Sequence, residues 1–277
     1  MLNLAGEEIN AVSVAGLETC IELPRHKLCF DIGKGPRSAV NMSTVCFTHS
    51  HIDHMGGIAH HVATRSMLSM QPPTYMVPAQ IEAPLHRLLD AFREIDGSDL
   101  PCRVVPVEPG DEIDLPKGRA LRVFQAHHTM PCVGYSLWRR STQLRPELQG
   151  ADRETIRAAR MRGESVSVDV MHPLVAFTGD SRIDVVECES VVREAKLLIM
   201  EVTFIDDRVP VEKARENGHI HLDEVIQRAE LFENEAILFT HLSARYRYKE
   251  ALEILSKRLP DSLKERVTLL PRPAWCR

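Results

Sequence analysis

The stretch Thr48-His49-Ser50-His51-Ile52-Asp53-His54-Met55-Gly56-Gly57 constrains this chain more than any other. Ahead of it, Ser43-Thr44-Val45-Cys46-Phe47 is β-branched and apolar, the pattern of a buried strand. Behind it, Met55, Ile58, Ala59 and Val62 recur at helical spacing, which predicts a helix from about His54 to Met70. The motif therefore occupies a strand-to-helix corner. In an extended segment side chains two apart point the same way, so His49 and His51 converge on one ion while the turn swings Asp53 and His54 towards a second. One short stretch then supplies half-shells for two metals about 3.5–4 Å apart, the separation used by two-metal hydrolases. A single histidine among the 13 in 277 residues would carry no such meaning, but three at fixed offsets with an aspartate do.

Composition narrows the setting. With 44% apolar and 26% charged residues the chain is ordinary globular material, and no linker, low-complexity tract or internal repeat divides it, so one domain over residues 1–277 is expected. The start, Met1-Leu2-Asn3-Leu4-Ala5-Gly6-Glu7-Glu8, lacks a basic lead, and no 18-residue apolar run occurs, which predicts a soluble, cytoplasmic protein without a membrane span. Seven cysteines (20, 29, 46, 102, 132, 188 and 276) lack CxxC spacing and read as reduced thiols. A net charge of −5 argues against a global field that coats nucleic acid. A local excess exists all the same: between Arg139 and Gly163, arginines 139, 140, 145, 153, 157, 160 and 162 face only Glu147, Asp152 and Glu154. A solvated helical face and a phosphate-binding patch are both open there.

Strands are expected at Glu18–Leu23 and Lys27–Asp31, forming a hairpin across Pro24-Arg25-His26, and at Thr74–Val77, with a helix over Ile81–Ile95. Arg103–Val107, Leu121–Ala126 and Val133–Trp138 read as strands, the first two joined through the Pro109-Gly110-Asp111 turn. Asp152 caps a short helix ending at Gly163. Strands Leu174–Thr178, Leu197–Glu201 and Ala236–Thr240 follow, with a helix carrying Leu222, Val225, Ile226, Ala229 and Phe232 before the last of them. A helix over Tyr248–Leu259 and a strand over Val267–Leu270 close the chain. Together these predict α/β layers with a site at the sheet edges.

Three later strand ends offer further ligands: His127-His128, Gly179-Asp180 and His241, each directly after an apolar run. Metal 1 would take His49, His51 and His128, and metal 2 would take Asp53, His54 and His241, with Asp180 bridging. An imidazole-dominated donor set favours two Zn(II) per chain, with manganese or iron as alternatives. Glu201 ends a strand and His219 precedes a helix start; a carboxylate that raises the pKa of an imidazole makes a general-acid pair of them. Arg245 and Tyr246 follow ligand His241 closely enough for substrate contact.

The segments THSHIDHMGG, HTMPCVGY, AFTGDSR, EVTF, NGHIHLDE and FTHLSARY, in this order, resemble the short, plant-type form of tRNase Z (ribonuclease Z), in the metallo-β-lactamase fold superfamily. The resemblance spans nearly the whole chain and implies an αβ/βα four-layer sandwich. It selects His128 over His127, because the family histidine stands six residues before the glycine that is Gly134 here. It implies a zinc-dependent endoribonuclease that cleaves the 3′ trailer from precursor tRNA by hydroxide attack on a phosphodiester. Asp53 would orient the nucleophile and His219, paired with Glu201, would protonate the departing oxygen. It also implies a homodimer.

Two departures from the pattern bear on the substrate. The long Gly/Pro- and Lys-rich arm of many relatives is reduced here to a short basic insertion over about 139–172, and the usual Pro-Thr-x-x-Arg-Asn segment is replaced by Leu23-Pro24-Arg25-His26. A hydrolase of small phosphodiesters or (thio)esters on the same fold is the alternative, and a metal-binding protein without turnover the third reading.

Overall fold

The computed structural model describes residues 1–276. Seven strands build the first sheet, interleaved with three helices: β1 (Leu2–Leu4), β2 (Glu7–Val14), β3 (Glu18–Leu23), β4 (Leu28–Phe30), β5 (Thr44–Cys46), α1 (Ile52–Met55), α2 (Ile58–Met67), β6 (Thr74–Pro78), α3 (Glu82–Asp96) and β7 (Arg103–Val107). The second sheet takes the rest: β8 (Glu112–Leu115), β9 (Arg119–His127), β10 (Pro131–Leu144), α4 (Arg153–Met161), β11 (Ser167–Phe177), α5 (Asp184–Cys188), α6 (Ser190–Glu194) and β12 (Leu197–Glu201). It continues through α7 (Val211–Glu216), α8 (Leu222–Gln227), β13 (Ala236–Thr240), α9 (Tyr248–Arg258), α10 (Asp261–Lys264) and β14 (Val267–Leu269).

In the first sheet the strands lie in chain order, antiparallel from β1 to β4 and parallel from β4 to β7. The second runs β14-β13-β12-β11-β10-β9-β8, parallel from β14 to β11 and antiparallel beyond.

Residue alternation along the strands explains the layers. Leu28, Phe30, Cys46 and Met76 of the first sheet meet Val133, Phe177, Leu197, Ile199 and Leu238 of the second in one buried cluster between the sheets. Their chain neighbours Cys29, Val45, Tyr75 and Val77 point the other way, under α2 and α3, while Leu198, Met200, Ile237 and Phe239 point towards α8 and α9. Strands buried on both faces read as continuous apolar runs, as these do. Phe30 stacks on Phe177 across the inter-sheet core at 5.2 Å between ring centroids. Burying each such ring stabilises the fold by about 1.5–3 kcal/mol. The result is the expected αβ/βα four-layer sandwich. Among the described residues no helix is long and apolar enough to cross a membrane.

Several expectations need correction. The helix over His54–Met70 is two pieces, α1 and α2, broken at Gly56-Gly57: Gly57 N donates to Gly33 O at 2.7 Å, and a Cβ on Gly57 would strike the backbone of Lys34 and Gly35. The strands over 103–107 and 121–126 do not form a hairpin. The Pro109-Gly110-Asp111 turn instead carries the chain from the edge of one sheet to the edge of the other, where β8 pairs with β9. The amino-terminal strands β1 and β2 were not foreseen, since Glu7, Glu8, Asn10 and Ser13 interrupt their apolar alternation. The basic insertion is a β10–β11 ribbon, paired out to Leu144↔Ser167, with α4 beyond its end; Asp152 Oδ1 accepts from Thr155 N at 2.7 Å as the N-cap.

Candidate metal centre

The carboxy-terminal ends of β5, β9, β11, β12 and β13 lie along one edge of the sandwich, and each delivers a polar side chain just after its last apolar residue. His49 and His51 follow β5, with Asp53 and His54 in α1; His128 follows β9; Asp180 follows β11; Glu201 ends β12; His241 follows β13. The structure brings His49, His51, His128 and Asp180 into one group whose potential ligand atoms lie within 4.8 Å of one another, and Asp53, His54 and His241 into a second. Asp180 Oδ2 stands between them, 3.8 Å from His49 Nε2, 3.3 Å from His54 Nε2 and 3.4 Å from His241 Nε2. His127, by contrast, is exposed.

Each ring is aimed by a hydrogen bond at its other nitrogen. His128 Nδ1 donates to Gly218 O at 2.9 Å, and His54 Nδ1 donates to Asp31 Oδ2 at 2.8 Å. Thr48 Oγ1 donates to Asp31 at 2.8 Å and thus accepts from His49 Nδ1 at 3.0 Å. Thr203 Oγ1 likewise donates to Glu201 and accepts from His241 Nδ1 at 3.1 Å. Four Nε2 lone pairs are therefore left facing inward, the tautomer that metal binding requires. His51 is the exception, presenting Nδ1, 3.0 Å from His49 Nε2 and 3.3 Å from His128 Nε2.

Backbone geometry tightens the cluster. His241 itself has φ 56°, a left-handed conformation uncommon outside glycine, which turns the chain sharply off β13. Gly179 (φ 60°) lies so close to Thr48 that a Cβ would come 2.7 Å from its side chain. Gly218 (φ 78°) brings its carbonyl to His128 where any side chain would crowd the imidazole.

Electrostatics follow from this crowding. Burial holds His49, His51 and His128 below the ordinary histidine range, so they are neutral near pH 7. His54 is raised despite burial, because the Asp180 and Asp31 carboxylates favour its charged form, so a cation would have to displace a proton to use the Nε2 lone pair. Asp180 is well below the carboxylate range: burial opposes this, but His241, His54 and His49 outweigh it. For the same reason Asp53, whose Oδ2 lies 3.5 Å from His241 Nε2 and accepts from Gly16 N at 2.9 Å, is lowered.

The donor set fits divalent cations. His54 Nε2 and His241 Nε2 are buried without a hydrogen-bond partner, although polar groups in such places are normally satisfied. Two lone pairs converging on a shared carboxylate are what a cation would occupy.

At the rim, His219 Nδ1 donates to Glu201 Oε1 at 2.8 Å, and its ring centroid lies 5.1 Å from that of His128 and 5.2 Å from that of His241. Burial disfavours a proton there, but Glu201 and then Asp180 more than offset it and hold the imidazole at about 9. Arg245 is exposed, four residues after His241. Tyr246 is placed differently from its expected role: its side chain is only 1% exposed, and its hydroxyl donates to Asp206 and accepts from Ile205 N, so it braces the loop.

Sequence reasoning missed Asp31, Thr48, Thr203 and Ser13, whose hydroxyl accepts from His241 N at 2.9 Å. A signal was present for Asp31 alone, a charged residue directly following the apolar run Leu28-Cys29-Phe30.

Residues 31–242 match a family model described as the Beta-lactamase superfamily domain. The chain is 38% identical over 271 residues to tRNase Z TRZ1 of Arabidopsis thaliana, covering 97% of this chain and 96% of that protein. It is 30% identical to the chloroplastic tRNase Z TRZ2 of the same plant, over 92% of this chain and 73% of that one. Among solved structures, the human short-form tRNase Z superposes with a TM-score of 0.63 at 18% identity, covering 95% of this chain and 96% of that one. The metallo-β-lactamase fold protein YhfI of Bacillus subtilis gives 0.64 at 14% identity, covering 95% of each chain. The first of these relationships extends across almost all of both proteins, and the chain belongs to the tRNase Z (ribonuclease Z) family of the beta-lactamase superfamily.

Proposed function

We infer that this chain is a metal-dependent endoribonuclease that removes the 3′ trailer from precursor tRNA, leaving a 3′-hydroxyl on the tRNA and a 5′-phosphate on the trailer. The observation that carries the reading is the Glu201–His219 pair at the rim of a histidine–aspartate cluster, in a chain 38% identical to a tRNase Z. His49, His51 and His128 would hold one Zn(II) and Asp53, His54 and His241 a second, with Asp180 shared; manganese or iron would suit the same donors. When bound, such cations supply Lewis acidity, making a water more acidic and offsetting the charge that builds on the phosphodiester.

The side chains do the rest. Asp53, an anionic acceptor fixed by Gly16 N, orients the attacking water through one of its hydrogens. His219 enters the reaction protonated and gives its proton to the departing 3′ oxygen, while Glu201 stabilises the imidazolium before transfer and fixes the ring's direction. Arg245 is free to meet a phosphate beyond the cut.

Residues 1–277 would act as one domain, since a single core lies between the two sheets. A homodimer suits the ribbon. β10 spans 14 residues from Pro131, beside the cluster, to Leu144, a path of roughly 40 Å at about 3.3 Å per residue, so its basic tip is remote from its own site and would grip RNA held by a partner copy. Seven free thiols, Cys20 and Cys29 among them with sulfurs 3.4 Å apart, suit a reducing, cytoplasmic setting.

The test pairs two substrates: a tRNA with a 3′ trailer and bis(p-nitrophenyl) phosphate. Trimming of the RNA at the trailer junction is expected. Turnover of the small ester alone would reject the endoribonuclease and leave a small-diester hydrolase.

A further inference from the structure

A basic cavity of about 980 Å³ lies where the carboxy-terminal segment packs beside the chain that follows His241. Arg245, Arg247, Lys249 and Arg272 line it with Trp275, and among the described residues no aspartate or glutamate does. This cation excess stands out on a chain of net charge −5. Arg272 builds the wall: its guanidinium donates to the carbonyls of Leu242 and Ser243 and to Cys276 Sγ, tying the tail to the residues just after a candidate ligand. Trp275 is 54% exposed, an unusual state for so large an apolar ring, and Lys34 Nζ stands 4.8 Å from its centroid.

The cavity reaches the metal centre. Leu17 lines it and also lines, with Gly16, Lys34 and Asp53, a depression of about 440 Å³ at the edge of the cluster. Lys34 thus borders that depression while covering Trp275. A track therefore leads from Asp53, over Leu17 and Lys34, to Trp275 and the arginines.

We propose that this groove binds the single-stranded RNA trailer as it leaves the cut, its backbone against the cations and one base stacked on Trp275. Cations combined with a half-exposed aromatic ring, here one with Lys34 over it, are the elements of single-strand recognition, because an unstacked base offers its face and a duplex does not. Polarity selects the trailer. His219, which protonates the oxygen that stays with the tRNA, falls in no common ligand group with Asp53, and the groove opens beside Asp53. The proposal rests on the endoribonuclease reading of the centre, but its test can be separated from it.

The probe is a fluorescently labelled ten-nucleotide single-stranded RNA, titrated into metal-replete protein and read by anisotropy. Trp275→Ala weakens binding about tenfold and Trp275→Phe retains most of it, the range expected for loss of one base–aromatic stack. Arg247→Ala with Lys249→Ala lowers the slope of log affinity against log salt by about 1.4, two phosphate contacts at about 0.7 each. On precursors, the loss in kcat/KM for Trp275→Ala is larger with a ten-nucleotide trailer than with a single-nucleotide one. Equal losses on both trailers, oligonucleotide affinity indifferent to all variants, or stronger competition by an RNA duplex than by the single strand would each overturn the groove. If the variants lose the oligonucleotide while wild-type protein cuts no precursor, the groove stands and the endoribonuclease reading falls.

Discussion

Replacing Asp31 by asparagine probes the metal centre through a residue that does not belong to it. The Asp31 carboxylate is fully buried and accepts three hydrogen bonds of 2.8 Å, Oδ1 from Thr48 N and Oδ2 from Thr48 Oγ1 and His54 Nδ1. Through Thr48 it also fixes His49. Asparagine keeps the shape but turns one acceptor into a donor, and either orientation fails. With its amide nitrogen towards Thr48 N, two donors face each other. With the nitrogen towards His54, Nδ1 must become the acceptor and the proton moves to Nε2, where it blocks the inward lone pair. A buried donor left without its acceptor costs about 1–3 kcal/mol. For the metal, loss of such an orienting partner typically weakens affinity about 10–100-fold, equivalent to about 1.4–2.8 kcal/mol. The assay is competition for zinc against a chromophoric chelator, with circular dichroism to verify the fold. A folded Asp31→Asn protein whose zinc affinity stays within twofold of wild type would refute the orientation argument.

Substitutions at three further positions follow from the same geometry. His219→Ala should reduce kcat on precursor tRNA by about 10²–10⁴-fold while metal content is retained; loss of bound metal in elemental analysis would make His219 a ligand instead. In metal-stripped protein, the His219 pKa, raised from 6.5 to about 9, contributes stability that is complete below pH 6.5 and lost as pH rises through about 9. The stability gap between wild type and His219→Gln in urea melts should accordingly shrink from about 3 kcal/mol towards zero over that range, and a gap that widens with pH would contradict the sign. Thr203→Val cuts the link between Glu201 and His241, so zinc affinity should fall at least about tenfold and recover in Thr203→Ser; equal affinity in all three proteins would remove Thr203 from the account. Gly218→Ala adds a Cβ against His128 at φ 78° and should destabilise the protein by about 1–3 kcal/mol, read by denaturant melts. An unchanged midpoint would show that the loop yields.

What could be read from the chain depended on how local the signal was. The corner at His49–His54 is local: its ligand spacing is set by a strand end and one helical turn, and His49 and His51 fall in one candidate ligand group while Asp53 and His54 fall in another. The parallel strands of the second sheet were legible because burial on both faces makes them continuous apolar runs, as in Leu197–Met200 and Ile237–Phe239. Strands β1 and β2 were not, because β1 is an edge strand that needs few apolar residues and, in β2, Ser13 serves His241 rather than the core. The hydroxyls of Thr48 and Thr203 gain their roles only when distant strands meet, and nothing in their own neighbourhoods distinguishes them; Asp31 is marked only by its place directly after the apolar run Leu28-Cys29-Phe30. Tyr246 misled for the converse reason. Proximity in sequence to His241 suggested exposure at the site, yet the chain turns at φ 56° and sends that ring inward to Asp206.

The central claim is that seven side chains from four strand ends hold two cations together. Anomalous diffraction from crystals of metal-replete protein tests it most directly. Two peaks are predicted, one among His49, His51 and His128 and one among Asp53, His54 and His241, with Asp180 between them. A single peak, or peaks away from Asp180, would contradict the account.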